Sequence, residues 1–529
     1  MVVGIAFVSA CAATRPREFA QATNAPRKVS EKEAPVRVLS RRLEYRLDER
    51  GNWKETFSHR YEILNRAGTE TWAGTGTQWS PWYMTPPALT ASVLDPDGTR
   101  RILDPKTLVD SAAYPDLPDV YSDSRVLRGP LPGVRVGSVV EESIVRETKQ
   151  PFFVGGSEFD VAFQSHVPQD KVELVVDLPA SLPFHFEVLG ADRITFAGGP
   201  YAAIEPIPAD APSDVPPWPT VAFSTAESWQ QVARAYAAMV ESKLGNTDLK
   251  SMAGRLVKPD DSRRDKAAKL LAEVKRRVRY AAVEFGQAAI IPAIPKVTLE
   301  RAYGDCKDQS LLLVGLLRAA GLDAKLALLR AGGGNDVRAK LPALDVFNHA
   351  IVYIEGDEPI WIDPTSDYAR PNELPESDQG RLSLLVDPAT TDLTLAPVST
   401  SDQNTYVEHR QIRLPEHGAA SVHETTVVTG VLEHSLRASF DGSKEALQKT
   451  LTDYVKRIYV AEKLDSRAIR NCTRWPASIS RRARSRRHAR SCRSCSSSTP
   501  SRAAPPGTSW AAWPKPTACA KPRRMPTRA

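Results

Sequence analysis

The 529-residue sequence predicts a multidomain α+β fold, and three observations predict it. Residues 36–207 hold short β-type runs broken by glycine and proline, residues 222–400 mix helical periodicity with strand-like runs, and strand character returns after Tyr406. A chain this long accommodates about three domains, and its 42 prolines suit loops and strand ends better than long helices. The expected order is 1–35 signal and tether, 36–207 antiparallel β domain, 208–221 linker, 222–400 central α+β domain, 401–465 truncated β domain and 466–529 aberrant tail.

At the start, Val8-Ser9-Ala10-Cys11 follows an apolar run from Val2 and resembles the lipobox of a bacterial lipoprotein signal. Cys11 is then the expected lipidation site, with Ala12 to Pro35 as a flexible tether and the cell envelope or periplasm as the destination. The match departs from pattern in lacking Lys or Arg before a short apolar core. Any membrane attachment is expected through lipid alone, because no other apolar run approaches the ~20 residues a spanning helix needs.

Strands are expected at Arg41 to Leu47, His59 to Leu64, Ala91 to Leu94, Val139 to Glu147, Lys171 to Leu178, Phe184 to Val188 and Arg193 to Phe196. Asp95-Pro96-Asp97-Gly98 between two apolar runs reads as a hairpin turn. Trp72, Trp79, Trp82 and Tyr83 could form a sugar or peptide platform, though core packing is the commoner use of aromatics. Six prolines from Pro206 to Pro219 then make a stiff linker. Ser224 to Glu227 fits a capping box ahead of a helix carrying Trp229, Val232, Tyr236 and Val240, and Asp261 or Ser262 fits the cap of a second helix with Leu271 and Val274. Two helices are thus expected before Gly304.

Gly304-Asp305-Cys306-Lys307-Asp308 and the apolar run to Leu317 place one cysteine at a helix mouth. Asp305 fits the N-cap with Asp308 three residues on, Leu313, Leu316, Leu317 and Ala320 recur at helical spacing, and Gly321 fits the C′ position. Unpaired amides and the helix dipole favour negative charge there, so a thiol in that place is expected to ionise readily, and the thiolate is the nucleophile. Phe347 to Ile354 and Pro359 to Pro364 read as a hairpin around Gly356, with His349 and Asp363 seven residues to either side. Opposed residues on such a pair have Cβ atoms roughly 4.5–5.5 Å apart, close enough for a carboxylate to orient an imidazole. Singly, a buried cysteine is usually inert, a strand histidine a satisfied polar group and Asp-Pro a turn starter.

Together, GDCKD, His349 and the Trp-x-Asp-Pro-Thr text around Asp363 resemble the bacterial transglutaminase-like superfamily, whose fold is similar to papain-type cysteine proteases. Val278-Arg279-Tyr280 and Thr298 to Tyr303 fit the same resemblance, which spans about Ser224 to Val398. It implies a triad of Cys306 as nucleophile, His349 as general base and acid, and Asp363 as orienting group. It also implies an oxyanion donor upstream, for which Tyr280 or Gln287 is nominated, with the Cys306 amide as the other donor. The preceding β half resembles the domain of unknown function that commonly accompanies such domains. Peptide or amide hydrolysis through a thioester is the expected activity, transfer to an amine the second outcome, and an inactive peptide- or glycan-binding envelope protein the alternative.

Of six cysteines, Cys472, Cys492, Cys495 and Cys519 lie in the tail, leaving no disulfide framework for the body. The net charge of +7 misleads, because residues 466–529 carry 16 Lys and Arg and no acid, so residues 1–465 stand at −9. A basic block can bind nucleic acid. Here the abrupt change, which interrupts an amphipathic helix from Lys444 to Leu464, reads instead as coding text in a shifted frame, expected to be disordered. No nucleic-acid partner is expected, and the partner is a peptide or protein substrate. The nine histidines lack i, i+4 pairs, Cys492-x-x-Cys495 lacks a second half, and Gly332-Gly333-Gly334 lacks a phosphate-loop lysine, so neither metal nor cofactor is expected. The residues 331–335 could form a lid, although a plain surface loop is the commoner role.

Overall fold

A computed structural model describes residues 33–117, 119–189, 197–198, 201, 218–245, 247–332, 335–417, 420–459, 464, 466–468 and 496–501. Cys11, the tether as far as residue 32, the expected strand at Arg193 to Phe196, most of the proline linker and the tail cysteines lie outside them. The chain divides into two compact units, 1–398 and 399–529.

The first unit opens with a seven-stranded sheet. In order across it run Ala197–Gly198, Val172–Asp177, Val36–Leu47, Trp53–Ile63, Val139–Glu147, Ala88–Leu94 and Arg100–Ile102. Each predicted strand within the described residues is present, and those at Arg41, His59 and Ala91 begin three to six residues earlier than expected. The Asp95 turn closes as expected, with Ser92 opposite Ile102 and Gly98 at φ +86°. One feature departs from an antiparallel domain: Val36–Leu47 and Val172–Asp177 pair in parallel, because the chain returns to that edge by a long crossover rather than a hairpin. The four aromatics do not form one platform. Trp72 packs on Tyr61 and Trp79 is buried with its indole N–H on Asp110, whereas Trp82 and Tyr83 cluster with Phe152.

The boundary near 221 is bridged by structure. Thr220–Ser224 is the middle strand between Glu158–Ala162 and His185–Leu189, and all five of its residues are buried. Ser224 therefore caps nothing; its hydroxyl donates to the Pro342 carbonyl, and the cap of the next helix is Ser228, which accepts from the Gln231 amide.

Helices α1 (Trp229–Leu244), α2 (Leu249–Leu256), α3 (Arg263–Arg277), α4 (Pro295–Arg301) and α5 (Cys306–Ala319) follow. Two of the four before Cys306 were not expected. At eight residues α2 shows few turns of periodicity, and α4 is seven residues started by Pro295. Ser262 caps α3 as predicted. A sheet of β1 (Ala324–Leu329), β2 (His349–Ile354), β3 (Ile360–Ile362), β4 (Leu382–Leu385) and β5 (Thr394–Leu395) has the order β3-β2-β1-β4-β5. Its one face, through Leu326, Leu328, Ala350, Val352, Ile354 and Ile362, packs on the helices, and α5 is buried almost all round from Lys307 to Leu317. Burying a leucine contributes roughly 1.5–3 kcal/mol, so the five buried leucines of α5 alone hold it firmly in the core. The opposite face buries Ile351, Trp361 and Leu374.

The β half also touches the central half directly. Val120–Ser122 pairs in parallel with Ala282–Glu284, and Arg279 meets Asp119 at 2.9 Å. Arg338, in the segment between β1 and β2, pairs with Glu158 and Asp160.

In the second unit Tyr406–Arg413 and Ala420–Val428 form an antiparallel pair. The β domain expected over 401–465 is not all strand: Val431–Phe440 is helical, with Leu432, Leu436 and Phe440 four residues apart. The helix Lys444–Tyr459 follows, and Tyr454 and Tyr459 donate to the buried Glu424. The tail is not wholly without structure, since Ser466–Ala468 and Ser496–Ser501 extend the sheet beside Ala420–Val428. Strand addition uses backbone groups alone and needs no apolar periodicity.

Candidate active site

Cys306 is the first residue of α5 and half-buried. The predicted capping box is complete: Asp305 accepts from the Asp308 amide and Asp308 from the Asp305 amide. Asp308 is held further by the Ala293 amide at 2.7 Å and by Arg301. The first-turn amide of Cys306 has no partner within its own helix, which leaves it available to an oxyanion.

The hairpin bringing His349 and Asp363 together is real, but its centre is Asp357 rather than Gly356, with Tyr353 opposite Trp361 and Val352 opposite Ile362. The ladder stops at Ile362, so Asp363 lies just beyond it, diagonal to His349 rather than opposite. A slip of two residues keeps every side chain on its face, whereas a slip of one would reverse it. His349, Ile351, Trp361 and Asp363 therefore still share the face turned from α5's core, and His349 Nε2 lies 3.5 Å from Asp363 Oδ1. Thr365 fixes that carboxylate through its amide at 2.8 Å and its hydroxyl at 2.7 Å.

Cys306 is close enough to His349 for its side chain and charge to act on the imidazole, beside Asp363. Ser310, one turn into α5, donates to the Ala350 carbonyl at 2.9 Å and so locks the helix to the strand one residue past the histidine. Burial pulls the imidazole pKa down, but the bonds and charges of Asp363 and Cys306 outweigh it and hold the pKa well above the ordinary value. Burial likewise pushes Asp363 up, and His349 and Thr365 outweigh it, leaving the carboxyl below its usual range. The arrangement suits an imidazolium held beside a carboxylate.

Tyr280, 46% exposed, sits beside Gly304 in a short parallel pairing. Its hydroxyl pKa is raised, first by burial and then by the charges of Cys306 and Asp305, so it stays a neutral donor near the sulfur. Gln287 lines a hollow with Lys243, Ile291, Arg301 and Asp308, whose lining includes none of Cys306, His349 and Asp363.

The sequence reading missed Asp378, which is 1% exposed in the segment before β4. Its Oδ2 lies 3.9 Å from His349 Nε2, and Ser377 donates to its Oδ1 at 2.8 Å. Burial pushes this carboxyl up to about 6; His349 opposes the rise and Asp363 adds to it. One atom each of His349, Asp363 and Asp378 lies within 4.8 Å of the others. Nothing in the sequence pattern around Ser377-Asp378 announces the residue, since an acid in a loop reads as a solvated turn.

Residues 250–362 match the transglutaminase-like superfamily and residues 49–199 match DUF3857, a domain of unknown function with solved structure. The first match takes in Cys306 and His349 and stops one residue before Asp363. Among solved structures, a candidate protease from Parabacteroides distasonis is similar over 79% of this chain and 98% of its own, at 12% identity and a TM-score of 0.56. A candidate cysteine protease from Cytophaga hutchinsonii is matched over 55% of this chain and 79% of its own, at 11% identity and a TM-score of 0.15. No match is found among curated proteins. Residues 49–199 are thus similar to DUF3857 and residues 250–362 to the transglutaminase-like superfamily, and the fold is shared with the Parabacteroides distasonis structure.

Proposed function

We propose that the chain is a cysteine acyl-transfer enzyme of the cell envelope that hydrolyses a peptide or amide bond through an acyl-thioester on Cys306. One observation carries the reading: a helix-mouth cysteine acts on a histidine whose Nε2 faces a buried carboxylate at 3.5 Å. In the proposed cycle the Cys306 thiolate attacks the carbonyl carbon and the Cys306 amide, with the Tyr280 hydroxyl, receives the oxyanion. The His349 imidazolium gives its proton to the leaving amine. His349, now neutral, takes a proton from water as that water attacks the thioester, and collapse returns the thiolate and the free acid. An amine in place of water would give transamidation by the same route.

Iodoacetamide at neutral pH should alkylate Cys306 far faster than an ordinary thiol, and His349→Ala should abolish that advantage; equal rates in the two proteins would sink the reading. The envelope location rests on the Val8-Ser9-Ala10-Cys11 text. Membrane fractionation of the full chain checks it: Cys11→Ser should move the protein to the soluble fraction, and an unchanged distribution would remove the lipid anchor.

A further inference from the structure

We propose that Asp378 is a second positioning carboxyl of this site, supplying a titratable negative charge to the Nε2 side of His349 so that the imidazolium is held more strongly when Asp378 is ionised than when it is neutral. The inference rests on the reading of Cys306 and His349 as a thiolate–imidazolium pair.

The geometry carries it. Asp378 is almost wholly out of water, yet its Oδ2 has no hydrogen-bond partner. A buried polar atom left so needs a reason, and that oxygen lies 3.9 Å from Nε2, nearly as close as Asp363 at 3.5 Å. The segment carrying it is pinned. Gly332 donates to the Ser377 carbonyl at 3.1 Å, Arg381 donates to the Gly332 carbonyl, and the Asp378 amide donates to the Pro375 carbonyl at 3.1 Å. Asp378 is therefore placed against the imidazole by its backbone rather than by chance of rotamer.

The charged groups that face it are few. His349 comes from β2 and Asp363 from the end of β3; Lys275 of α3 acts on Asp363 from farther out while donating to the Ala369 carbonyl, and Arg381 turns to Gly332. The pair of acids thus has two working states. Below about pH 6 Asp378 keeps its proton and can donate to Asp363; above that pH both acids face the ring, and the imidazolium is the one cation between them.

The test follows alkylation of Cys306 by iodoacetamide against pH in the full chain, read on the Cys306 peptide by mass spectrometry because five other cysteines are present. The unsubstituted protein should show an inflection near pH 6 and an upper limb above the ordinary imidazole range. Asp378→Asn keeps the shape and removes the charge. It should abolish the lower inflection and move the upper limb down by about one pH unit, a tenfold loss in proton affinity of the ring. Ser377→Ala removes the hydroxyl that favours the Asp378 anion and should move the lower inflection upward, which keeps the test open if the asparagine variant fails to fold. A profile that overlays the parent, or falls evenly at every pH, overturns the inference and leaves Asp378 a structural acid. If the unsubstituted Cys306 itself titrates as an ordinary thiol with one inflection near 8.5, the enzyme reading fails and takes this inference with it.

Discussion

Lys307 follows the nucleophile position directly, and its ammonium lies almost out of water against Asp305, with side-chain exposures of 9% and 3%. Burial pulls the Lys307 pKa down, yet the charges of Asp305 and Cys306 outweigh it and leave the group cationic. A buried pair of this kind contributes little to net stability, but removing one partner strands the other and costs about 3–5 kcal/mol. Asparagine caps a helix about as well as aspartate, so Asp305→Asn isolates the charge from the cap. Denaturant unfolding should find Asp305→Asn destabilised by several kcal/mol and the double variant with Lys307→Met largely restored. Additive losses in the double variant would show that the cap, not the charge, is what Asp305 supplies.

At the scale of elements, α5 was legible in full because three local signals agree: a cap, a 3.6-residue apolar period and a terminal glycine, seen here as Gly321 at φ +81°. The β2–β3 hairpin was legible in its face but not in its register. Polar Glu355-Gly356-Asp357-Glu358 offers several turn centres, and the choice of Asp357 follows from the ladder ending at Ile354 and Ile360. That the histidine and carboxylate still meet is a property of the two-residue period, which preserves a face under an even slip. Thr365, whose bonds aim Asp363, and Asp378, which approaches from the segment before β4, could not be found this way. Their contacts are set by tertiary placement across loops, where sequence spacing carries no distance information. The short helix α2 was missed for a related reason: eight residues with Leu249, Met252 and Ala253 buried give barely two turns of pattern.

The whole first unit shows why a boundary written from composition blurs. Proline density suggested a separating linker, but Thr220–Ser224 is stitched into the sheet behind it, and Arg338, just upstream of β2, reaches back to Glu158 and Asp160. The β half is thereby tied to the segment that leads into His349. The tie is sensitive to pH. Burial pushes Glu158 up to about 7, with Arg338 opposing and Asp345 and Asp160 adding; burial pushes Asp345 up to about 6, with the Glu158 amide and Ser157 opposing. A carboxyl whose folded value is raised binds its proton more tightly in the folded state. Its stabilisation is complete below the unfolded value near 4.5 and is lost as the pH rises through the folded value. The window for Glu158 is thus about pH 4.5 to 7, and stability falls across it. Glu158→Gln cannot titrate and leaves Asp160 to hold Arg338. In thermal melts at pH 5 the two proteins should be close, while at pH 8 the glutamine variant should melt higher relative to its parent. A parent that gains on the variant between pH 5 and 8 would mean that the Arg338 pair outweighs the desolvation of Glu158, and the junction would then tighten rather than loosen as the pH rises.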